Sequence, residues 1–168
     1  ACVRIAYHHT DIVYMSKDQE VLRDVEHEVK EEATQGIVCT NRNKMSLQGL
    51  LEYANTIDLA EIKDVIQRQI EMNSKISQEG LDNAWGAQIG KTILENWGDD
   101  RTEACAAAAA GSDARMSGCP LPVVINSGSG NQGITVTMPV LVYAREWKIS
   151  EEKMYRALLV SNLVSIYI

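Results

Sequence analysis

The most informative stretch for the fold is the alanine-rich RTEACAAAAAG at residues 101–111. Alanine has the highest helix propensity, so the stretch predicts a helix, which either Asp99 or Asp100 can cap. Gly111 is expected to end this helix. Because alanine side chains lack bulk, a neighbouring helix can approach closely. The low complexity of the stretch therefore indicates tight packing rather than disorder.

Helical patterns continue on both sides of this stretch. The pattern is helical from Ser46 on, and Asp58 with Glu61 forms a capping box before a helix expected to reach about Met72. Near the end of the chain, Ser150 and two following acidic residues open a last helix. Apolar residues at helical spacing predict core faces in both regions: Leu81, Trp85, Ile89 and Ile93 in the first, and Met154, Tyr155, Leu158, Leu159 and Leu163 in the second.

The first residues follow a two-residue alternation instead. Residues 1–16 are interpreted as a β-hairpin, with HHTD as its turn. Residues 20–27 fit a third strand, although Val21, Val25 and Val29 also fit a helix at four-residue spacing. The expected fold class is α+β, a small antiparallel β piece followed by a mainly helical body. Residues 1–44 are interpreted as a small β-containing lobe, the end of a truncated α/β domain, and residues 45–168 as a helical catalytic-type domain truncated at its C-terminus.

Composition and charge exclude several classes of partner. Hydrophobic residues make up 45% of the chain, as in globular proteins, and the formal net charge of -7 disfavours nucleic acid and anionic membrane surfaces. The longest apolar run, residues 134–144, is too short to cross about 30 Å of hydrocarbon, and no signal peptide is recognisable. Four cysteines without a CxxC pair favour reduced thiols and a cytoplasmic location. Since the chain starts without Met and stops in an apolar run, we expect a fragment of a longer protein.

The sequence NSGSGNQG at residues 126–133 contains the spacing GxGxxG. A dinucleotide site needs a strand before the glycines and a helix that opens on them. LPVVI fits the strand, but four successive β-branched residues at 134–137 and Pro139 disfavour the helix. Successive N–H groups and polar side chains favour an anion such as a carboxylate, with a helix that begins near Thr137. A tight turn without a ligand is the third interpretation.

Four stretches resemble one family. The most specific is SDARMSGCPLPVVINSGSGNQGITVTMPVLVYA at residues 112–144, which is similar to L-cysteine desulfidases and to relatives allied to the α chain of iron-sulfur L-serine dehydratase. Supporting stretches are ACVRIAYHHTDIVYM at the start, SQEGLDNAWGAQIG at residues 77–90 and EEKMYRALLVSNLVSIYI at the end. The resemblance covers nearly all of the chain in order and is weakest over residues 21–44.

The resemblance implies a pyridoxal-free lyase. Such an enzyme eliminates the β-substituent of L-cysteine, giving pyruvate, ammonia and sulfide, or that of L-serine, with a 4Fe-4S cluster acting on the leaving group. The cluster cysteines of the family lie outside this window, so Cys2, Cys39, Cys105 and Cys119 are assigned no ligand role and no metal site is expected in these residues. The fragment alone is expected to lack the cluster and to be inactive. The expected partner is a small amino-acid substrate, and a homodimer is one option for the assembly.

The resemblance also implies roles for particular residues. The glycine-rich loop is expected to hold the substrate α-carboxylate or to line the cluster pocket. Arg115 is a candidate clamp for a carboxylate, and Asp113 a candidate to orient it or the substrate ammonium, with a cap and a structural ion pair as the alternative. Lys75 and Glu79, in an expected polar turn, and His9 are candidates for proton transfer, with structural or solvated roles as the alternative. The loop residues expected to bind substrate are Asn126, Ser127, Gly128, Ser129, Gly130, Asn131 and Gln132.

A second function fits the same loop. A protein that binds or senses an amino acid without catalysis would keep the anion-binding loop and lack the cluster. Three or more suitably placed cysteines in the full-length chain would favour the enzyme over this alternative.

Overall fold

The structure is a computed structural model of the 168-residue chain, and it describes residues 1–6, 12–25 and 44–168. The chain divides into two compact units, Ala1–Asn41 and Arg42–Ile168. His9, the candidate base, lies outside the described residues, as does Cys39.

The first unit contains a three-stranded antiparallel sheet. Its strands are β1 (Cys2–Ile5), β2 (Ile12–Lys17) and β3 (Glu20–Asp24), in the order β1-β2-β3. Asp18 and Gln19 connect β2 to β3 with positive φ angles of 50° and 73°, which is the backbone of a tight two-residue hairpin turn. The antiparallel pairing of β1 with β2 and of β2 with β3 confirms the predicted hairpin and third strand, and β3 ends at Asp24. The predicted HHTD turn lies outside the described residues.

The described part of the second unit forms six α-helices. A short 3-10 helix at Leu59–Glu61 precedes the second of them, and Asp58 caps it by accepting a hydrogen bond from the N–H of Ala60. The α-helices are α1 (Leu47–Thr56), α2 (Lys63–Asp82), α3 (Ile89–Asn96), α4 (Asp100–Met116), α5 (Gly130–Glu146) and α6 (Glu151–Tyr167). The α+β fold class is confirmed. None of the described helices is long and apolar enough to cross a membrane.

The alanine-rich helix α4 is central in this unit, where it packs against α2, α3 and α5. A Cβ added to Gly80 of α2 would lie 2.0 Å from the carbonyl oxygen of Ala110, and one added to Gly90 of α3 would lie 2.5 Å from that of Ala106. The helices thus approach so closely that no side chain fits between them, as the alanine-rich stretch predicts. The buried alanines of α4 are Ala104, Ala106, Ala107, Ala110 and Ala114.

The predicted start of α4 is confirmed, but its predicted end is wrong. Asp99 caps the helix and forms a reciprocal capping box with Thr102. Gly111 does not end the helix, which continues to Met116. Gly111 is instead a packing residue, because a Cβ there would lie 3.0 Å from Ile134. The left-handed residue after the helix is Gly118, with φ of 89°.

The apolar core forms around α4 and along α6. One cluster joins Ala107 and its neighbouring alanines to Ile76, Ile134 and Val142. The inward face predicted for the last helix is confirmed, because Tyr155, Leu158 and Leu159 are buried and Met154 and Leu163 pack beside them.

The predicted end of α2 near Met72 is wrong, because the helix continues to Asp82. The polar residues that suggested a turn include Asn73 and Ser77, which are buried inside the helical unit with exposed fractions of 0% and 1%. Ser77 donates its hydroxyl hydrogen bond to the Ala107 carbonyl at 2.7 Å. The stripe predicted from Leu81 to Ile93 is likewise interrupted, since residues 83–88 connect α2 to α3.

The predicted start of α5 near Thr137 is also wrong. The helix begins at Gly130 and contains Pro139 in its interior. Burial of one face, including Ile134 and Met138, outweighs the poor helix propensity of the β-branched residues. Pro139 has no N–H, so it cannot donate the usual helical hydrogen bond to the Thr135 carbonyl.

Candidate functional site at the start of helix α5

The glycine-rich loop folds into a tight turn in front of α5. The N–H of Asn126 donates to the Ser129 carbonyl at 3.0 Å, and the N–H of Ser129 donates to the Asn126 carbonyl at 2.9 Å. Ser127 and Gly128, between them, have φ angles of 48° and 75°, so both are in the left-handed region. Ser129 then caps α5 by accepting a hydrogen bond from the N–H of Gln132 at 3.3 Å. The helix therefore opens directly on the turn.

The segment before the turn belongs to no strand that the structure describes. Residues 121–125, the sequence LPVVI, pair with no strand in the described ranges. Asn73 of α2 holds this segment instead: its Oδ1 accepts from the N–H of Val124 at 2.9 Å, and its Nδ2 donates to the Val124 carbonyl at 3.2 Å. A dinucleotide fingerprint needs a strand of a parallel sheet at this point, so the geometry favours the other two interpretations of the loop.

Arg115 and the first turn of α5 lie together. A Cβ added to Gly130 would lie 2.3 Å from Nε of Arg115, so only glycine leaves room for the guanidinium there. Nη1 of Arg115 donates to Oδ1 of Asn131 at 3.1 Å. The N–H groups of Gly130 and Asn131 precede the first hydrogen bond within the helix. A partly buried guanidinium thus lies at the positive end of a helix dipole, an arrangement that favours an anion.

Three of the polar loop side chains are hydrogen-bonded to α6. Asn126 is only 5% exposed, and its Nδ2 donates to Oδ1 of Asn162 on α6 at 2.9 Å. Gln132 donates to the hydroxyl of Ser165 at 2.8 Å, and the Ser127 hydroxyl donates to the Ser165 carbonyl at 3.2 Å. These side chains fasten the loop to α6. Direct contact with an anion is left to Arg115 and to the backbone of the first turn.

Asp113 and Arg115 face different helices. Oδ2 of Asp113 accepts a hydrogen bond from the N–H of Ile89 at 2.7 Å, at the start of α3. Gln88, the preceding residue, has φ of 55° and makes no side-chain cap. Asp113 therefore supplies the cap of α3 from a neighbouring helix, which is the structural alternative considered for it.

The two candidates for proton transfer on α2, Lys75 and Glu79, lie within the helix rather than in the predicted polar turn. Lys75 is exposed in the middle of the helix. Oε1 of Glu79 accepts hydrogen bonds from Nδ2 of Asn83 at 2.8 Å and from Nε1 of Trp85 at 3.1 Å. These two hydrogen bonds of Glu79 hold the connection between α2 and α3. Its role in proton transfer stays a prediction, as do those of Lys75 and His9.

Sequence reasoning missed four polar residues that support the loop. Gln69 and Asn73 lie four positions apart on the buried face of α2, and Asn162 and Ser165 lie three positions apart on α6. Polar residues at the helical spacing of core positions are the signal that would have identified them, since a buried amide needs a partner.

The described residues show no arrangement of three or more His, Cys, Asp or Glu side chains that suits a metal ion. Cys2 and Cys105 are exposed free thiols and Cys119 is partly buried.

Comparison with known proteins gives the family. Residues 16–168 match the family described as serine dehydratase alpha chain, and the chain therefore belongs to it, as the sequence motifs predict. A UPF0597 protein of Finegoldia magna is 46% identical over 99% of this chain and 39% of its own length. UPF0597 proteins of Desulfitobacterium hafniense (42% identical, 99% of this chain and 38% of that protein) and Lachnoclostridium phytofermentans (43%, 98% and 39%) are similar too. The chain thus spans only 38–39% of the length of these three relatives. No solved structure matches it.

Proposed function

We propose that the protein carrying this chain is a lyase that eliminates the β-substituent of L-serine or L-cysteine. The products are pyruvate and ammonia, with sulfide from L-cysteine. Membership of the serine dehydratase alpha chain family supports the reaction class. The observation that carries the proposal for this chain is the position of the Arg115 guanidinium, across Gly130 at the start of α5.

In this proposal Arg115 and the first turn of α5 bind the α-carboxylate of the substrate. A guanidinium pairs with a carboxylate through two parallel hydrogen bonds, and the N–H groups of Gly130 and Asn131 add donors at the positive helix end. Asn131 also fixes the guanidinium through its Oδ1. Holding the carboxylate at one end sets the position of Cα and its proton, which a base must remove. His9, Lys75 and Glu79 stay the candidates for that base.

The resemblance to iron-sulfur enzymes extends the proposal to a 4Fe-4S cluster, which would polarise the leaving group. The described residues do not fit such a cluster. Cys2 is in β1, Cys105 is in α4 and Cys119 follows α4, and these thiols do not form a metal-binding group. We therefore propose ligands elsewhere in the full-length protein and derive no step of the reaction through the cluster.

The test is an oxygen-free assay of the full-length protein with L-serine and L-cysteine, following pyruvate and sulfide. We expect Arg115→Gln to raise KM about 10-fold to 100-fold, because hydrogen bonds to a charged group contribute about 1.5–3 kcal/mol. Arg101→Gln is the matched control, since Arg101 is an exposed arginine on the same helix. An unchanged KM in Arg115→Gln would contradict the carboxylate site. Binding of the amino acid without any product would favour the non-catalytic alternative.

A further inference from the structure

We infer that a partly buried network of amides and hydroxyls between α2, α6 and the loop positions the first turn of α5, the proposed carboxylate site, with Ser165 as the key positioning residue. The inference rests on the proposed carboxylate site. It assigns a function to Gln69, Asn162 and Ser165, which contact the loop or its supports rather than the substrate.

The network begins with two amides that face each other across two helices. Nε2 of Gln69 donates to Oδ1 of Asn162 at 2.9 Å, and Nδ2 of Asn162 donates back to Oε1 of Gln69 at 2.9 Å. Gln69 is only 2% exposed. Because each amide satisfies the other, their orientation is fixed, and Oδ1 of Asn162 is aimed at Nδ2 of Asn126. Asn126 is the first residue of the turn.

Ser165 links the tight turn at residues 126–129 to the first turn of α5. Its hydroxyl donates to Oδ1 of Asn126 at 2.9 Å and accepts from Nε2 of Gln132 at 2.8 Å. Asn126 is the first residue of the tight turn and Gln132 lies in the first turn of α5, so a single hydroxyl fixes the chain on both sides of Gly130. A change in this hydroxyl should tilt the first-turn amides relative to Arg115, which is anchored on α4. We therefore expect weaker substrate binding without a loss of the fold.

The chain offers a matched control one helical turn earlier. The hydroxyl of Ser161, also on α6 and also partly buried, donates to the Val136 carbonyl at 2.8 Å. Val136 lies in the body of α5, away from the turn. Ser161→Ala and Ser165→Ala remove the same atom from the same helix, but only the second variant reaches the loop.

The experiment compares these two variants in the full-length protein. We expect Ser165→Ala to raise KM for the amino acid about 5-fold to 10-fold, as two lost hydrogen bonds imply, with kcat changed less than about twofold. Ser161→Ala should leave KM at the wild-type value. Hydrogen exchange at the N–H of Ser129 gives a readout that needs no turnover: it should be faster in Ser165→Ala and unchanged in Ser161→Ala.

The possible failures are distinguishable. Equal KM values and equal Ser129 exchange in the two serine variants would overturn the positioning role, even when Arg115→Gln raises KM. An unchanged KM in Arg115→Gln would overturn the carboxylate site, and the positioning role with it. Equal losses of thermal stability in both serine variants, together with a KM change in Ser165→Ala alone, would support the inference against a purely structural role.

Discussion

Two contacts in the helical unit depend on opposite kinds of interaction: that of α4 with α2 and α3, and that of the glycine-rich loop with α6. Where α4 crosses α2 and α3, contact depends on the lack of side chains at Gly80 and Gly90, and it is non-directional. Where the loop meets α6, contact depends on directional hydrogen bonds of Asn126 and its partners. The first contact decides whether the chain can pack at all. The second decides what the start of α5 presents to a ligand, so damage to the two should have different consequences.

The largest expected effect is at the small-residue crossing. Gly80→Ala should lower the free energy of unfolding by about 3 kcal/mol or more, because the new Cβ meets the Ala110 carbonyl at 2.0 Å and backbone cannot move aside. The gain in helix propensity, about 1 kcal/mol, is too small to compensate. Urea unfolding measures the change. Gly98→Ala is the control, since nothing lies within 4 Å of a Cβ there, and similar losses in both variants would contradict the close-contact argument.

The second prediction concerns Asn73, whose side-chain amide holds residues 121–125 in front of the turn. Asn73→Ala should cost about 2–3 kcal/mol, because both the N–H and the carbonyl of Val124 lose the side chain that bonds them. Gln78→Ala, which removes an exposed hydrogen bond to Asp82 from the same helix, should change stability by less than about 0.5 kcal/mol. A denaturation series on the two variants tests this, and a small loss in Asn73→Ala would show that water replaces the amide.

The third prediction sharpens the comparison with one further glycine. Gly130→Ala places a Cβ 2.3 Å from Nε of Arg115, but that atom belongs to the end of a flexible side chain. Arg115 should move away, so unfolding free energy should change by only about 1 kcal/mol, while KM rises about tenfold with the loss of the guanidinium from the helix start. Measuring KM and the free energy of unfolding for both variants should thus show a loss mainly of stability in Gly80→Ala and mainly of substrate binding in Gly130→Ala. A folded Gly130→Ala variant with a normal KM would contradict the site geometry.

The same contrast explains how much of the molecule was predictable from the sequence. The alanine-rich helix, the hairpin and the apolar face of α6 follow local rules of propensity and periodicity, and these predictions were correct. The errors fall where tertiary contacts override local preference: Asn73 and Ser77 look like turn residues because their partners are 30 to 64 residues away. Thr137 was predicted as a helix cap because threonine is common there. In the structure it lies inside α5, and its hydroxyl donates to the Gly133 carbonyl one turn earlier. The loop was identified as a site, but the inward direction of Asn126 depends on α6.

A smaller effect should distinguish the two roles of Asp113. As the cap of α3, its loss in Asp113→Ala should cost about 1 kcal/mol. Asp113→Asn keeps an acceptor for the N–H of Ile89 and should restore most of that stability. A role in orienting the substrate ammonium would instead need the negative charge, so Asp113→Asn would raise KM although the fold is intact. Thermal unfolding and kinetics of the same two variants separate these outcomes.

The smallest effect is a pH dependence at the start of α4. The hydrogen bond from the backbone N–H of Thr102, and then that from its hydroxyl, lower the pKa of Asp99 below its ordinary value of 3.8. A lowered pKa in the folded state means that the charged cap stabilises the fold above pH 3.8, and that this contribution is lost as pH falls through the lower, folded-state pKa. Asp99→Asn keeps the acceptor but does not titrate. Because all other carboxyl groups are shared, the difference in melting temperature between the two proteins isolates Asp99. It should favour the wild type slightly at neutral pH and vanish in acid, whereas a difference that stays constant into acid would show that the charge of the cap contributes nothing.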